Sequence, residues 1–254
     1  MAFNYSPKIV TDGLVLYLDA ANTRSYPGTG TVWSDLSRGG NNGTLINGPT
    51  FNAGNGGSIV FDGVDDYVNN IGSLNTFSFI QNTGIFSINF WFKINTLNTR
   101  NTILGTTGTQ SEKGFFVCFD YLSSFYGFNN LRIIAIRGQD GKQVFNGATN
   151  DNIITDTNWH NGCYTNNNTL TGQWYVDGIA VTTTSRYNPA DIGAPDGIKS
   201  TGDSTRTLNV GRFNFSSTLI PLKGNIAQTS IYNRALSATE IRQNYNAAKT
   251  RFGL

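Results

Sequence analysis

The sequence predicts an all-β chain: an antiparallel two-sheet β-sandwich with one short C-terminal helix. Three observations carry this. Apolar residues recur at every second position in several stretches, which is the spacing of a half-buried strand. Glycine, Asn and Asp separate those stretches at short intervals, as tight turns between strands require. Helical spacing with a start signal occurs once, in SATEIRQNYNAAKTRF (237–252).

In chain order, GLVLYLDA (13–20) is a short apolar run. GIFSINFWFKI (84–94) alternates cleanly, with Phe86, Ile88, Phe90, Phe92 and Ile94 on one face. That spacing predicts one fully buried face, opposite Ser87, Asn89 and Lys93 together with Ile85 and Trp91. Further strands are expected at 114–121, 131–138, 159–165, 172–178, 178–184, 207–213 and 224–233. YVDGIAV (175–181) is a hairpin signal, because an Asp-Gly pair suits the type I′ turn. In the final segment Ser237 is the expected N-cap and Glu240 the N3 residue of a capping box, followed by an apolar stripe of Ile241, Tyr245 and Ala248. One helix after a dozen strands is a lid or strap. We read one domain: an arm over 1–12, a sandwich over 13–236, and the helix and tail over 237–254.

The chain has 254 residues, of which 38% are hydrophobic and 13% charged, with a net charge of +2. That charge is too small for an electrostatic footprint on nucleic acid. No apolar stretch approaches the roughly 18–20 residues that span a bilayer. MAFNYSPKIV lacks the charged and apolar regions of a signal peptide. Cys118 and Cys163 fall in expected strands. They can form one disulfide or stay as buried thiols, and a reducing cytoplasm favours the thiols.

Several motifs fall in a recognisable order: DGLVLYLDAAN (12–22), WSDLSRGGNNGTL (33–45), GSIVFDGVDDYV (57–68), SINFWFKI (87–94), WYVDG (174–178), NVGR (209–212) and GNIAQTSIYNRALSATEI (224–241). This order resembles that of concanavalin A-like, laminin G-like jelly rolls, over nearly the whole chain. The closing IYNRALSATEI…RFGL is similar to stand-alone virion proteins of tailed phages, especially those of cyanobacteria. The resemblance implies a non-catalytic virion surface protein: a head decoration, neck or tail-associated subunit, made in the host cytoplasm. Its partners would be other virion proteins and, in an oligomeric assembly, copies of itself. The alternative function is a glycan-binding adhesion module that recognises host surface polysaccharide.

Hydrolysis fits the residues poorly. Retaining glycosidases need two carboxyl groups about 5–5.5 Å apart, and the related glucanases carry them as alternating acids on one strand. Here the glutamates are Glu112, in a polar loop, and Glu240, in the capping box. A serine triad would need the lone His160, which follows Trp159 at a strand start, and no nucleophile elbow accompanies it. Cys163 lies on the opposite strand face from His160.

Two sites remain. In VFDGVDDYV (60–68), Asp62, Asp65 and Asp66 surround a glycine. Such clusters make turns, with Asx side chains satisfying backbone amides. The family often binds calcium at one sandwich rim, which makes Asp65 and Asp66 candidate calcium ligands, the one cofactor the sequence suggests. FDYLSSFYGFNN (119–130) sets rings among polar donors, so Tyr121, Phe125, Tyr126 and Asn129 are candidates for sugar contact. The same rings can instead plug the sandwich end or face a protein partner.

Overall fold

A computed structural model describes residues 8–106, 114–123, 127–136, 143–185, 207–215 and 218–254. Among these, two antiparallel sheets face each other across one apolar core. The first sheet runs β14 (Ile179–Ala180), β13 (Gln173–Val176), β12 (His160–Asn167), β7 (Ile85–Ile94), β19 (Lys223–Tyr232), β5 (Ser58–Asp62) and β4 (Thr50–Asn52), with β1 (Leu14–Asp19) also beside β19. The second runs β15 (Thr183–Thr184), β11 (Gln143–Thr149), β10 (Gly127–Ile136), β9 (Gly114–Ser123), β8 (Asn101–Gly105), β16 (Leu208–Val210), β6 (Tyr67–Ile71), β3 (Gly43–Ile46) and β2 (Val32–Trp33).

The core follows from alternation. Phe86, Ile88, Phe90, Phe92 and Ile94 of β7 all point inward, against Val117, Phe119, Leu131 and Ile133 of the facing sheet. Leu16 and Leu18 of β1 do the same, and Trp33 and Trp174 are fully buried packing residues.

The outer face of β7 departs from the sequence expectation. Ser87, Asn89 and Trp91 are as buried as the inward residues. The cause is the C-terminal helix (Ala238–Ala248) and the 3₁₀ turn Lys249–Phe252 that continues it. Trp91 stacks between Phe252 (ring centroids 4.3 Å) and Tyr245 (5.5 Å). Ser87 Oγ receives the Leu236 amide (2.8 Å) and donates to Thr165 Oγ1 (2.9 Å). The buried polar side chains on this strand therefore bond protein rather than water: Ser87 bonds the segment leading into the helix, and Asn89 Oδ1 accepts from Asn161 Nδ2 of β12 (3.1 Å). The capping box forms as the sequence predicts, with Ser237 Oγ accepting the Glu240 amide and the Glu240 carboxylate accepting the Ser237 amide. The expected stripe of Ile241, Tyr245 and Ala248 is buried, joined by Asn244. Of the arm, Lys8–Val10 lies against this helix: the Val10 amide donates to Asn244 Oδ1, and Tyr232 Oη donates to the Val10 carbonyl.

Two expected strands break. Residues 178–184 split into β14 and β15, which belong to different sheets. Residues 207–213 break at Gly211 (φ 87°), where a Cβ would lie 2.7 Å from the Phe61 ring. There the chain leaves the second sheet and forms a two-stranded hairpin, β17 (Arg212–Phe215) with β18 (Thr218–Pro221). Phe213 and Ile220 of that hairpin cover Phe116, Cys118 and Ile134 on the sheet's outer face. The Asp-Gly hairpin between β13 and β14 has the predicted left-handed pair, Asp177 (φ 52°) and Gly178 (φ 73°). Cys118 and Cys163 are free, buried thiols in opposite outer layers.

Candidate functional site

The predicted residues that fall among the described ones gather at one rim. Asp62 ends β5 in the first sheet and Tyr67 opens β6 in the second, so VFDGVDDYV carries the chain across the sandwich edge. Gly63 takes φ 82°, and a Cβ there would meet the Lys223 side chain at 2.6 Å. Asp62 Oδ1 accepts the Val64 amide (2.7 Å), and Asp66 Oδ2 accepts the Asp62 amide (3.0 Å). The Asp65 carbonyl accepts from Asn47 Nδ2 (3.1 Å). Carboxylate oxygens of Asp62, Asp65 and Asp66 come within 4.8 Å of one another. Burial pushes the Asp66 carboxyl above its ordinary pKa, opposed by the Asp62 amide and aided by the charges of Asp62 and Asp65. Sequence reasoning named Asp65 and Asp66 and left out Asp62, which is equally close. Calcium takes six to eight oxygens. Two of these carboxylates already serve the turn's own amides, so the geometry satisfies a crossing turn first.

Of the residues proposed for sugar contact, the described ones, Tyr121 and Asn129, lie toward the same rim, near the end of β9 and the start of β10. Tyr121 sits on β9, while Phe125 and Tyr126 fall outside the described residues. Asn129 is buried with φ 49°. Its Nδ2 donates to Asn98 Oδ1 (3.0 Å) and Asn152 Oδ1 (3.2 Å), and its Oδ1 accepts the Asn98 amide (2.9 Å). Its amide group thus ties two rim loops together.

His160 lies at the same end, opposite in face to Cys163 as the alternation predicts. Its Nδ1 is 2.9 Å from Asp177 Oδ2 and its Nε2 is 3.1 Å from Asp156 Oδ1. Ionised carboxylates only accept, so the two contacts are both hydrogen bonds when the ring carries protons on both nitrogens. Burial alone would lower its pKa; the hydrogen bonds and charges of Asp177 and Asp156 outweigh that and raise it. Asp156 lies four residues before His160 in the same segment, and Asp177 comes from the turn after β13, so only half of this clasp is local in sequence.

A groove on the first sheet's outer face was also missed. It has a volume of about 820 Å³ and runs between β1 and the C-terminal helix. Its floor is a hydrogen-bonded quartet. Tyr17 Oη donates to Asp19 Oδ2 (3.0 Å) and accepts from Gln228 Nε2 (2.9 Å), which also reaches Asp19 Oδ2 (3.2 Å). Arg251 Nη1 donates to Asp19 Oδ1 (2.9 Å). Burial, then the Asp19 charge, pushes the Tyr17 phenol above its ordinary range. Leu14, Leu36 and Ala247 supply apolar wall, and Lys8 and Arg24 stand at its margin. The available signal was Tyr17 and Asp19, two polar outward positions in the apolar run LVLYLD.

A family model described as the concanavalin A-like lectin/glucanases superfamily matches residues 61–242. The chain belongs to that superfamily. A search of curated proteins found no match. Among solved structures, the fold of this superfamily member is similar to the receptor binding domain of botulinum neurotoxin C/D mosaic serotype. The TM-score is 0.62 at 16% identity, over 93% of this chain and 51% of that one. The binding domain of botulinum neurotoxin DC in complex with SialylT gives 0.61 at 14% identity, over 94% and 52%. Trypanosoma rangeli sialidase in complex with sialic acid gives 0.59 at 16% identity, over 94% and 33%. The chain spans about half the length of the toxin domains and a third of the sialidase. At these identities the likeness is one of fold.

Proposed function

We propose that the chain is a non-catalytic surface module of a tailed-phage virion, a head decoration, neck or tail-associated subunit, that binds host surface polysaccharide. The observation that carries the binding half is the groove over Tyr17, Asp19 and Gln228. It combines apolar wall with hydrogen-bonding floor, the pairing that sugar-sized ligands use. One toxin binding domain of similar fold was solved in complex with SialylT, and this chain spans about half of that domain. The virion half rests on the IYNRALSATEI…RFGL resemblance.

The placement of the carboxylates supports the non-catalytic reading. Glu240 is held by Arg234 and by the helix cap, and its carboxyl is pulled down to about 2, chiefly by Arg234. Glu112 lies outside the described residues. Asp19, Asp62, Asp66 and Asp177 each accept backbone amides.

A glycan array with and without millimolar calcium tests the binding half. Binding to host-type polysaccharide is expected, and failure in both conditions ends it. Dependence on calcium that Asp65→Asn abolishes would put an ion at Asp62, Asp65 and Asp66. Mass spectrometry of purified particles tests the virion half, which absence from the particle would end.

A further inference from the structure

We propose that the groove between β1 and the C-terminal helix takes a carboxylated saccharide, its sugar ring over Tyr17 and its carboxylates toward Lys8 and Arg24. This rests on the glycan-binding reading above and adds both a location and a ligand class to it.

Charge supplies the first argument. The groove is lined by three cations, Lys8, Arg24 and Arg251, and one carboxylate, Asp19. Arg251 already opposes Asp19 at 2.9 Å. Lys8 and Arg24 are exposed, and among the described residues neither meets a carboxylate. Two uncompensated positive charges therefore stand over a floor with no free negative charge, and they attract an anion from solution.

The floor supplies the second. Asp19 accepts from Ala21, Tyr17, Gln228 and Arg251, so those side chains are fixed before any ligand arrives. Pre-ordered polar groups avoid the entropy of immobilising them on binding. Tyr17 sits beside the aliphatic walls of Leu14 and Leu36, held from below by the buried Gln228 amide. A pyranose offers the matching pair, hydroxyls on its edge and C–H groups on its face. An acidic peptide offers the charge but not the ring.

Isothermal titration of the full chain decides it. The probes are alginate, hyaluronate and polysialate oligosaccharides, neutral laminari- and cello-oligosaccharides, and poly-glutamate. We expect at least one carboxylated saccharide to bind about tenfold tighter than the neutral ones, and poly-glutamate to bind no better than these. The variant Lys8→Gln/Arg24→Gln removes two exposed charges. It is expected to weaken the carboxylated saccharide about tenfold while leaving neutral binding unchanged. Ala247→Trp, which fills the groove from the helix side, is expected to abolish binding, with thermal unfolding checking that the fold survives. Equal binding of neutral sugars, with no effect of the charge variant, overturns this inference and leaves the glycan reading standing. Poly-glutamate binding as tightly as the sugars overturns it in favour of a peptide site. Full affinity in a folded Ala247→Trp chain overturns the location. No binding of any saccharide ends the glycan reading and this inference together.

Discussion

The two outer faces of the sandwich solve one problem in different ways. Each sheet has its inner face in the core, and the central strands of each are covered outside as well. Over the centre of the first sheet the cover is mostly carbon, Trp91, Trp159 and Ala227 lying under Tyr245, Ala248 and Phe252, with the Asp19–Arg251 pair to one side. Over the second sheet the cover is mixed. The β17–β18 hairpin seals Phe116, Cys118 and Ile134, and beside them Asp120 pairs with Arg100 (3.1 Å) and Arg132 (3.5 Å) with almost no exposure. The comparison teaches that burial of a sheet's second face does not demand apolar residues. It demands either apolar residues or charges with partners already in place.

Substitutions can break that comparison. The largest effect is expected at the charged face. Asp120→Ala strips the carboxylate from two cations, one of them fully buried, and is expected to cost about 3–5 kcal/mol in denaturant unfolding. A loss under 1 kcal/mol would mean that water reaches this cluster. On the carbon face, Trp91→Ala removes both ring stacks and is expected to cost a similar ~3–5 kcal/mol. Ser237→Ala removes the cap alone and is expected to cost about 1 kcal/mol. A loss as large as that of Trp91→Ala would show that the roof is held by its end rather than by its packing.

The smallest effect is a slope with pH. The His160 pKa is raised in the fold, so its contribution to stability is full below the unfolded value near 6.5 and is lost as pH rises through the folded value. Thermal melts from pH 6 to 9 are expected to show that decline, and His160→Gln to flatten it. An unchanged slope in the variant would assign the effect elsewhere.

The carbon face was legible in the sequence because its signals are local. The capping box spans four residues and the stripe of Ile241, Tyr245 and Ala248 repeats at helical spacing. The type I′ turn at Asp177-Gly178 is equally local. The charged face was not legible, since Asp120 and Arg132 sit on two strands and Arg100 just before a third, and no short window encodes how they pair. Ser87 and Asn89 misled for the same reason: polar residues in alternation look solvated until a roof of remote sequence lands on them. The groove joins residues 17 and 19 to 228 and 251, and His160 joins Asp156, four residues before it, to Asp177, so each site is only partly local in sequence. The Asp62–Asp66 cluster was visible, but its role as a crossing between sheets needed the topology.

The positions of the two thiols have a use beyond packing. Cys163 lies under the helix layer with Ile241 and Leu236, and Cys118 under the hairpin layer with Phe213 and Ile220. Burial pushes both thiols up in pKa, Cys118 to about 12, so neither reacts while covered. A thiol reagent can label Cys163 only when the helix lifts, and Cys118 only when the hairpin does. The chain thus carries one native clock per face, and two labelling rates measured in a single sample report how often each cover opens.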